Sequence, residues 1–432
     1  MVLGSRCDVT CSFTARCCRG ACSVHDADRL QWGQPVRCAL ISGVCLPLPP
    51  PVAATATGSA PVPPSSGPPQ TPPPTVTTAP VGTDCAATAL AAMPARVRVG
   101  QLFLLGVPAG GLGNAMSVIA ANAPAGVFLT GRSTAGAGAI TAFSAEVQRA
   151  GRAASGGTGL FVATDQEGGE VQVLSGPGFS TMPSAAVQGG WSPSRLQNAA
   201  TGWGQQLRAA GINVDLAPVS DVLSPALGTV NAPIGRFDRA YGTDPQTVAE
   251  HVAAFVRGMS AAGVITTVKH FPGLGRVRGN TDNASGVTDG QTTPSDPDLQ
   301  PFAIGAAAGA SWLMVSSAVY TRIDAHSPAV FSPTIIQGLA RDRLGFGGLI
   351  VSDDLGAAVQ VAYLDPGARA VRFLGAGGNV VLTADPNTLG PMIDAVMNAA
   401  TDPAFAAHIA TAEMRVLEAK AAAGLLRCTA PR

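Results

Sequence analysis

From residue 86 onward the chain alternates between short apolar runs and Ala-rich stretches with apolar residues at helical spacing. The first four runs are "QLFLLGV" (101–107), "GVFLTG" (126–131), "GLFVATD" (159–165) and "NVDLAPV" (213–219). Four more follow: "GVITTVK" (263–269), "WLMVSSA" (312–318), "GLIVSDD" (348–354) and "GNVVLTA" (378–384). Between them lie helical stretches such as "SPTIIQGLARDRLG" and "DPQTVAEHVAAFVRGMSAAG". The latter places Val248, Val252, Phe255 and Met259 on one face, starts at an Asp-Pro signal and stops at Gly263.

Continuous apolar strands alternating with helices predict a parallel sheet covered on its faces. Eight such units in about 340 residues predict an α/β fold of the (β/α)8 TIM-barrel type rather than an open doubly wound sheet. Polar placement decides between the two. Asp165-Gln166-Glu167 follows the third run, Asp221 the fourth and Lys269-His270 the fifth, and Asp353-Asp354 ends the seventh. Active-site groups of a barrel emerge at these C-terminal strand ends.

Composition changes the picture mainly before residue 85. No charged residue occurs from Ala39 to Thr83, and thirteen of the thirty-five prolines fall between Pro47 and Pro80. Residues 46–84 therefore read as a disordered Pro/Ser/Thr linker, PPII-like and unable to build a core. Residues 1–45 carry seven of the nine cysteines, in no zinc spacing. They read as a Cys-rich segment holding an export signal, with the true start mis-assigned and "VRCALISGVCLPL" as its charged tip and apolar region. Cys85 and Cys428 bracket residues 85–432, the barrel domain, and are expected to pair as a disulfide in an exported protein; two unrelated thiols are the bland alternative. No run reaches the ~18–20 apolar residues of a membrane helix. Net charge is zero and only 12% of residues are charged, which argues against a nucleic-acid footprint.

Each polar cluster has a bland reading beside its functional one. Ser-Asp-Asp before an Ala-rich segment makes a good helix cap, yet a strand-end carboxylate is desolvated unless something holds it. One aspartate of the pair Asp353-Asp354 is expected to cap and the other to face the mouth. A tight turn explains Gly168 and Gly169 but not Asp165. Lys269 and His270 are a satisfied pair or a ligand grip. Of Arg236 and Arg239, one is expected inward and one solvated. The five histidines show no metal spacing, and no G-x-S-x-G elbow or phosphate loop occurs, so neither metal nor cofactor is expected. Carboxylates and cationic donors around a barrel mouth fit sugar chemistry, in which one carboxylate attacks an anomeric carbon and an acid protonates the leaving oxygen.

Six ordered motifs carry a resemblance. "VGQLF" (99–103), "DQEGGEVQ" (165–172), "LAPVSDV" (216–222), "RAYGTDP" (239–245), "KHFPGLG" (269–275) and "VSDDL" (351–355) resemble glycoside hydrolase family 3, over roughly residues 90 to 425. They look most like its single-domain bacterial β-N-acetylglucosaminidase (β-N-acetylhexosaminidase) branch, which trims N-acetylglucosamine from cell-wall fragments. The resemblance implies a (β/α)8 barrel, Asp353 as nucleophile of a retaining mechanism, and Asp165, Arg239, Lys269 and His270 as the sugar grip.

The resemblance breaks in "KHFPGLGRVRGNTD". The branch follows its lysine-histidine loop with an Asp-Ser-His acid/base pair; here Asp282 stands at the histidine position and Asn280 at that of its aspartate. Leu274 replaces a second histidine, and Glu170 and Val173 stand where two arginines are usual. Asp282 is therefore the expected acid/base and Asn280 an orienting or substrate-binding amide, with Asp289 in reserve. Arg276 and Arg278 would favour the ionised form of Asp282 if they lay close. A carboxylate there would repel phosphate, which favours hydrolysis over phosphorolysis.

The expectation is an exported glycoside hydrolase, secreted or envelope-associated and monomeric, that releases terminal β-linked N-acetylglucosamine from cell-wall glycan fragments. The alternatives are a sugar-binding protein that has lost its acid, and a hydrolase of another β-hexoside.

Overall fold

The computed structural model describes residues 38–41, 44–47 and 81–426. The chain divides into two compact units, Met1–Thr75 and Val76–Arg432. In the first, Cys38–Ile41 pairs antiparallel with Val44–Pro47. That strand and the helix Val81–Ala92 both reach into 46–84, the segment expected to be without structure. Beyond Pro80 the sequence turns to "DCAATALAA", rich in strong helix formers, so the helix begins before residue 85. The hairpin falls within the apolar region of the expected export signal, and the remainder of 1–80 lies outside the described residues.

The second unit is the expected barrel. Its strands are β1 (Phe103–Pro108), β2 (Gly126–Thr130), β3 (Phe161–Thr164), β4 (Val214–Asp215), β5 (Ile265–Phe271), β6 (Trp312–Val315), β7 (Leu349–Asp354) and β8 (Val380–Thr383). All eight pair parallel in sequence order, and β8 returns to β1 with Val381 opposite Phe103, so no edge is left open. One strand begins within each predicted apolar run. The fourth is shorter than its run because Pro218 has no N–H to extend the ladder, and pairing resumes only as a bridge from Val219 to Lys269.

Side chains fill the barrel. Phe161 on β3 meets Trp312 on β6 edge to face at 5.0 Å, and since these strands are not neighbours their contact crosses the interior. Outside, the helix Pro245–Ala261 buries Val248, Val252, Phe255 and Met259, as its spacing predicts, and Asp244 caps it by accepting the Thr247 N–H at 2.8 Å. The helix Val81–Ala92 packs on the final helix, Pro403–Ala422, through Ala86, Met93 and Leu417. No helix among the described residues is long and apolar enough to cross a membrane.

The chain from Pro272 to the helix at Gln300 forms the long loop after β5. Within it Thr288–Asp289 pairs with Val319–Tyr320, which leaves β6, and Arg276 bonds Asp296 at 2.6 Å and Asp298 at 2.8 Å. These contacts make the loop part of the barrel's C-terminal face.

Candidate active site

The turn after β3 supplies two acids. Asp165 is half-buried, while Glu167 is buried with 3% of its side chain exposed. Gly168 and Gly169 reverse the chain with φ of 101° and 58°, and a Cβ on Gly168 would stand 2.1 Å from the Pro183 carbonyl, so the tight-turn reading of these glycines holds. The turn is tied down from below: the Gln166 N–H donates to Asp215 Oδ1 at 3.0 Å, and Val173 N–H to the Asp165 carbonyl at 3.1 Å.

Lys269 and His270, just before the end of β5, are joined by a cis peptide. Lys269 Nζ reaches Asp165 Oδ1 and Glu167 Oε1, both at 2.6 Å. Arg239, from the loop after β4, donates from Nε and Nη2 to the two oxygens of Glu167, each at 2.8 Å, and from Nη1 to the Pro233 carbonyl at 2.8 Å. Arg236 is exposed, which assigns the inward role to Arg239. Burial alone would raise the Glu167 pKa, but the Arg239 and Lys269 charges overcome it and hold the carboxyl at about 2. Burial likewise opposes the charge on Lys269, and Asp165 and Glu167 outweigh it, so the ammonium is favoured.

His270 is held from the other side. Its Nδ1 donates to Asp221 Oδ2 at 2.8 Å, and Asp221 Oδ1 accepts the His270 and Leu274 N–H groups at 3.1 and 2.7 Å. Nε2 is left 3.4 Å from Arg239 Nη2. The glycine at 275 lets this loop run against the Asp221 loop, since a Cβ there would lie 1.7 Å from the Val222 carbonyl.

The carboxylates expected to do chemistry stand beside this grip. Asp353, half-buried at the end of β7, has its pKa pushed up to about 6, first by burial and then by the charge of Asp282, with His270 pulling it down. Asp282 is exposed, and its carboxylate makes no hydrogen bond among the described residues. Its backbone N–H donates to Asn280 Oδ1 at 3.0 Å. Asn280 thus orients the acid's backbone, while Asp289 is buried with its oxygens taken by the N–H groups of Gln291 and Thr292 and the Thr292 hydroxyl, at 2.6 to 2.9 Å. The reserve acid is therefore a turn-closing residue. Arg276 is committed to Asp296 and Asp298, so it does not serve as the cation feared for Asp282.

Of the pair Asp353-Asp354, the second is the capping residue. Asp354 Oδ1 accepts the Gly356 and Ala384 N–H groups at 2.8 and 2.9 Å, and Oδ2 that of Ala357 at 3.1 Å. It caps a turn and ties it to the end of β8; no α-helix begins there, since a short 3-10 turn follows at Val359–Val361 and the next α-helix starts at Pro366. Glu170 is exposed and Val173 buried in the core, so neither joins the grip.

Sequence reasoning missed Glu167 and Asp221 as site residues. Both stood in the quoted motifs, but their partners lie 72 and 49 residues further on. No cluster of three or more His, Cys, Asp or Glu side chains among the described residues forms a metal cage.

A profile described as "Glycosyl hydrolase family 3 N terminal domain" matches residues 95–419. The chain is 37% identical over 283 residues to a protein named β-hexosaminidase from Stenotrophomonas maltophilia (strain R551-3), covering 64% of this chain and 80% of that one. It is similar to a solved β-N-acetylhexosaminidase from Beutenbergia cavernae DSM 12333, with 48% identity and a TM-score of 0.74 over 76% of this chain and 98% of the other. A family 3 β-N-acetylglucosaminidase from Paenibacillus sp. str. FPU-7 is 27% identical, with a TM-score of 0.67 over 77% and 64% of the two chains.

Proposed function

The chain belongs to glycoside hydrolase family 3 and is a glycosidase, and on that premise we propose that it releases terminal β-linked N-acetylhexosamine, with N-acetylglucosamine the preferred sugar, by a retaining mechanism. The observation that carries the reading is that Asp353, at the end of a barrel strand, feels the charges of both Asp282 and His270, and His270 belongs with Asp165, Arg239 and Lys269 to one bonded grip. One Asp353 oxygen bonds to the anomeric carbon as the glycosidic C–O bond breaks, and the leaving oxygen takes its proton from Asp282. A water then gives a proton to Asp282 and attacks the same carbon, which frees Asp353 and returns the sugar with its β configuration. Lys269, Arg239 and His270 offer donors and Asp165 acceptors to the sugar hydroxyls, with Glu167 and Asp221 holding three of these side chains in place.

The same reading places the protein outside the cytoplasm, acting on cell-wall glycan fragments. What supports export is the disulfide at Cys85, since such bonds persist in oxidising compartments. Its expected partner, Cys428, lies outside the described residues.

The test is release of aryl alcohol from an activated aryl β-N-acetylglucosaminide and from the matching β-glucoside. The acetamido sugar is expected to be preferred, its first-formed product to be the β anomer by NMR, and Asp353→Asn to reduce turnover at least about 10³-fold. A first-formed α anomer would overturn retention. No release from either compound, with N-acetylglucosamine still bound in a calorimeter, would replace the enzyme by a sugar-binding protein.

A further inference from the structure

The nucleophile ends a barrel strand, but the acid rides on a long loop, and its carboxylate touches nothing that would fix its distance from Asp353. The backbone of Asp282 does the fixing. Its N–H is held by Asn280, and its carbonyl accepts the Val359 N–H at 3.2 Å. The next residue along, Gln360, donates its own N–H to the Thr281 carbonyl at 3.0 Å. Its side-chain amide then closes on the far arm of the same loop. Gln360 Oε1 accepts the Val287 N–H at 2.9 Å, and Nε2 donates to the Val287 carbonyl at 3.2 Å.

Gln360 belongs to the loop that leaves the nucleophile's strand. Between Asp353 and Gln360 the chain has little freedom: Asp354 pins Gly356 and Ala357, and Ala358 and Val361 are buried. Gln360 itself is 4% exposed, so its amide works in a dry setting where hydrogen bonds to peptide groups are worth most. A run of fixed residues therefore leads from the attacking carboxylate to the Val359 and Gln360 N–H groups that hold the proton donor's backbone, and the Gln360 side-chain amide braces the far arm of the same loop at Val287.

Resting on the glycosidase reading, we propose that Gln360 is a positioning residue that clamps the Asp282 loop to the loop leaving β7 and so sets the distance between acid and nucleophile. The plainer role is to satisfy the polar groups of Val287 for stability alone. The two roles separate by leaving group, because a misplaced acid harms only substrates that need protonation.

The experiment compares the full chain with Gln360→Met, Asp282→Ala and the double variant, on an activated aryl glycoside and on a β-linked disaccharide of the same sugar. Melting temperatures and inhibition by the free sugar are followed alongside. Gln360→Met is expected to cut kcat/KM for the disaccharide by about 10- to 10²-fold and for the aryl glycoside by less than about threefold. Inhibition by the free sugar should not change. The double variant should be no slower than Asp282→Ala alone, since a clamp has nothing to position once the acid is gone. Gln360→Glu, which keeps the acceptor for Val287, should fall between wild type and Gln360→Met and serves if the methionine variant does not fold. Equal slowing of both substrates, or losses that add in the double variant, would overturn the clamp alone. If the unmutated chain cleaves neither substrate, the glycosidase reading fails and takes the clamp with it.

Discussion

Asp353 is poised by two opposing neighbours. Burial and the Asp282 charge raise its pKa to about 6, and His270 restrains the rise. A nucleophile must be ionised, so activity on a substrate that needs no protonation is lost as pH falls through about 6 and is present above it. The kcat/KM profile on an activated aryl glycoside should show an acidic limb there. In Asp282→Asn, with the neighbouring charge removed, that limb should move to lower pH; a limb that stays in place would show that Asp282 does not reach Asp353. The cost to stability has the opposite sense. Folded Asp353 holds its proton to higher pH than an unfolded aspartate, so its contribution falls as pH rises from about 4 to about 6. At this scale the sequence was half legible. Asp353, Lys269 and His270 stand at strand ends, where a desolvated polar group needs a reason. Glu167 and Asp221 stand at strand ends too, but no role could be given them, because what they hold is set by closure of the barrel and not by any local pattern.

The strands were legible because a strand buried on both faces must be largely apolar, and each of the eight runs is so apart from the polar residues at its ends and in "NVDLAPV" and "GVITTVK". The loops were not, because their geometry depends on partners contributed by other units. Asp354 illustrates it: a capping pattern was visible, but the turn it caps is joined to Ala384 at the end of β8, thirty residues on. Asp354→Ala should free three N–H groups at once and cost about 2–3 kcal/mol of stability by denaturant titration. The aryl-glycoside rate should fall with it, since the adjacent Asp353 carboxylate accepts the Asp354 N–H at 2.9 Å. A variant of wild-type stability would remove Asp354 from this role. The loop after β5 shows the same dependence. Its proton donor was placed by counting from Gly275, but the contacts with Val359 and Gln360 appear only when two loops meet.

At the scale of the molecule, the barrel has a working face and a sealed one. The seal includes Lys420, fully buried on the final helix, which donates to Gln101 Oε1 just before β1 and lies 5.6 Å from the centre of the Phe161 ring. Burial, with the nearby Arg152 charge adding to it, drives its pKa well below the ordinary lysine value. The unfolded chain therefore binds a proton that the folded chain does not, and stability rises with pH toward the unfolded lysine pKa. Lys420→Met removes that slope. Its stability relative to wild type should fall as pH is raised from 7 toward 9, measured by urea titration. No change over those two pH units would mean that Lys420 is charged in the fold. In sequence this lysine, in "LEAKAAAG", was an ordinary helix residue; only the insertion of the helix against the barrel's base makes it unusual.

The contact of the first barrel helix with the last one has a consequence for chain order. Val81–Ala92 lies on Pro403–Ala422, and Ala86, Met93, Leu417 and Leu426 share one small apolar cluster. Eight repeating units that already close on themselves in space thus also have the helices before the first strand and at the end of the last unit in contact. Such a domain is a necklace whose clasp happens to sit between its final and initial helices. A connector across the clasp, with a new opening cut in an exposed turn on the sealed face, would keep every strand neighbour and leave the sugar grip, nucleophile and acid in their present order around the rim.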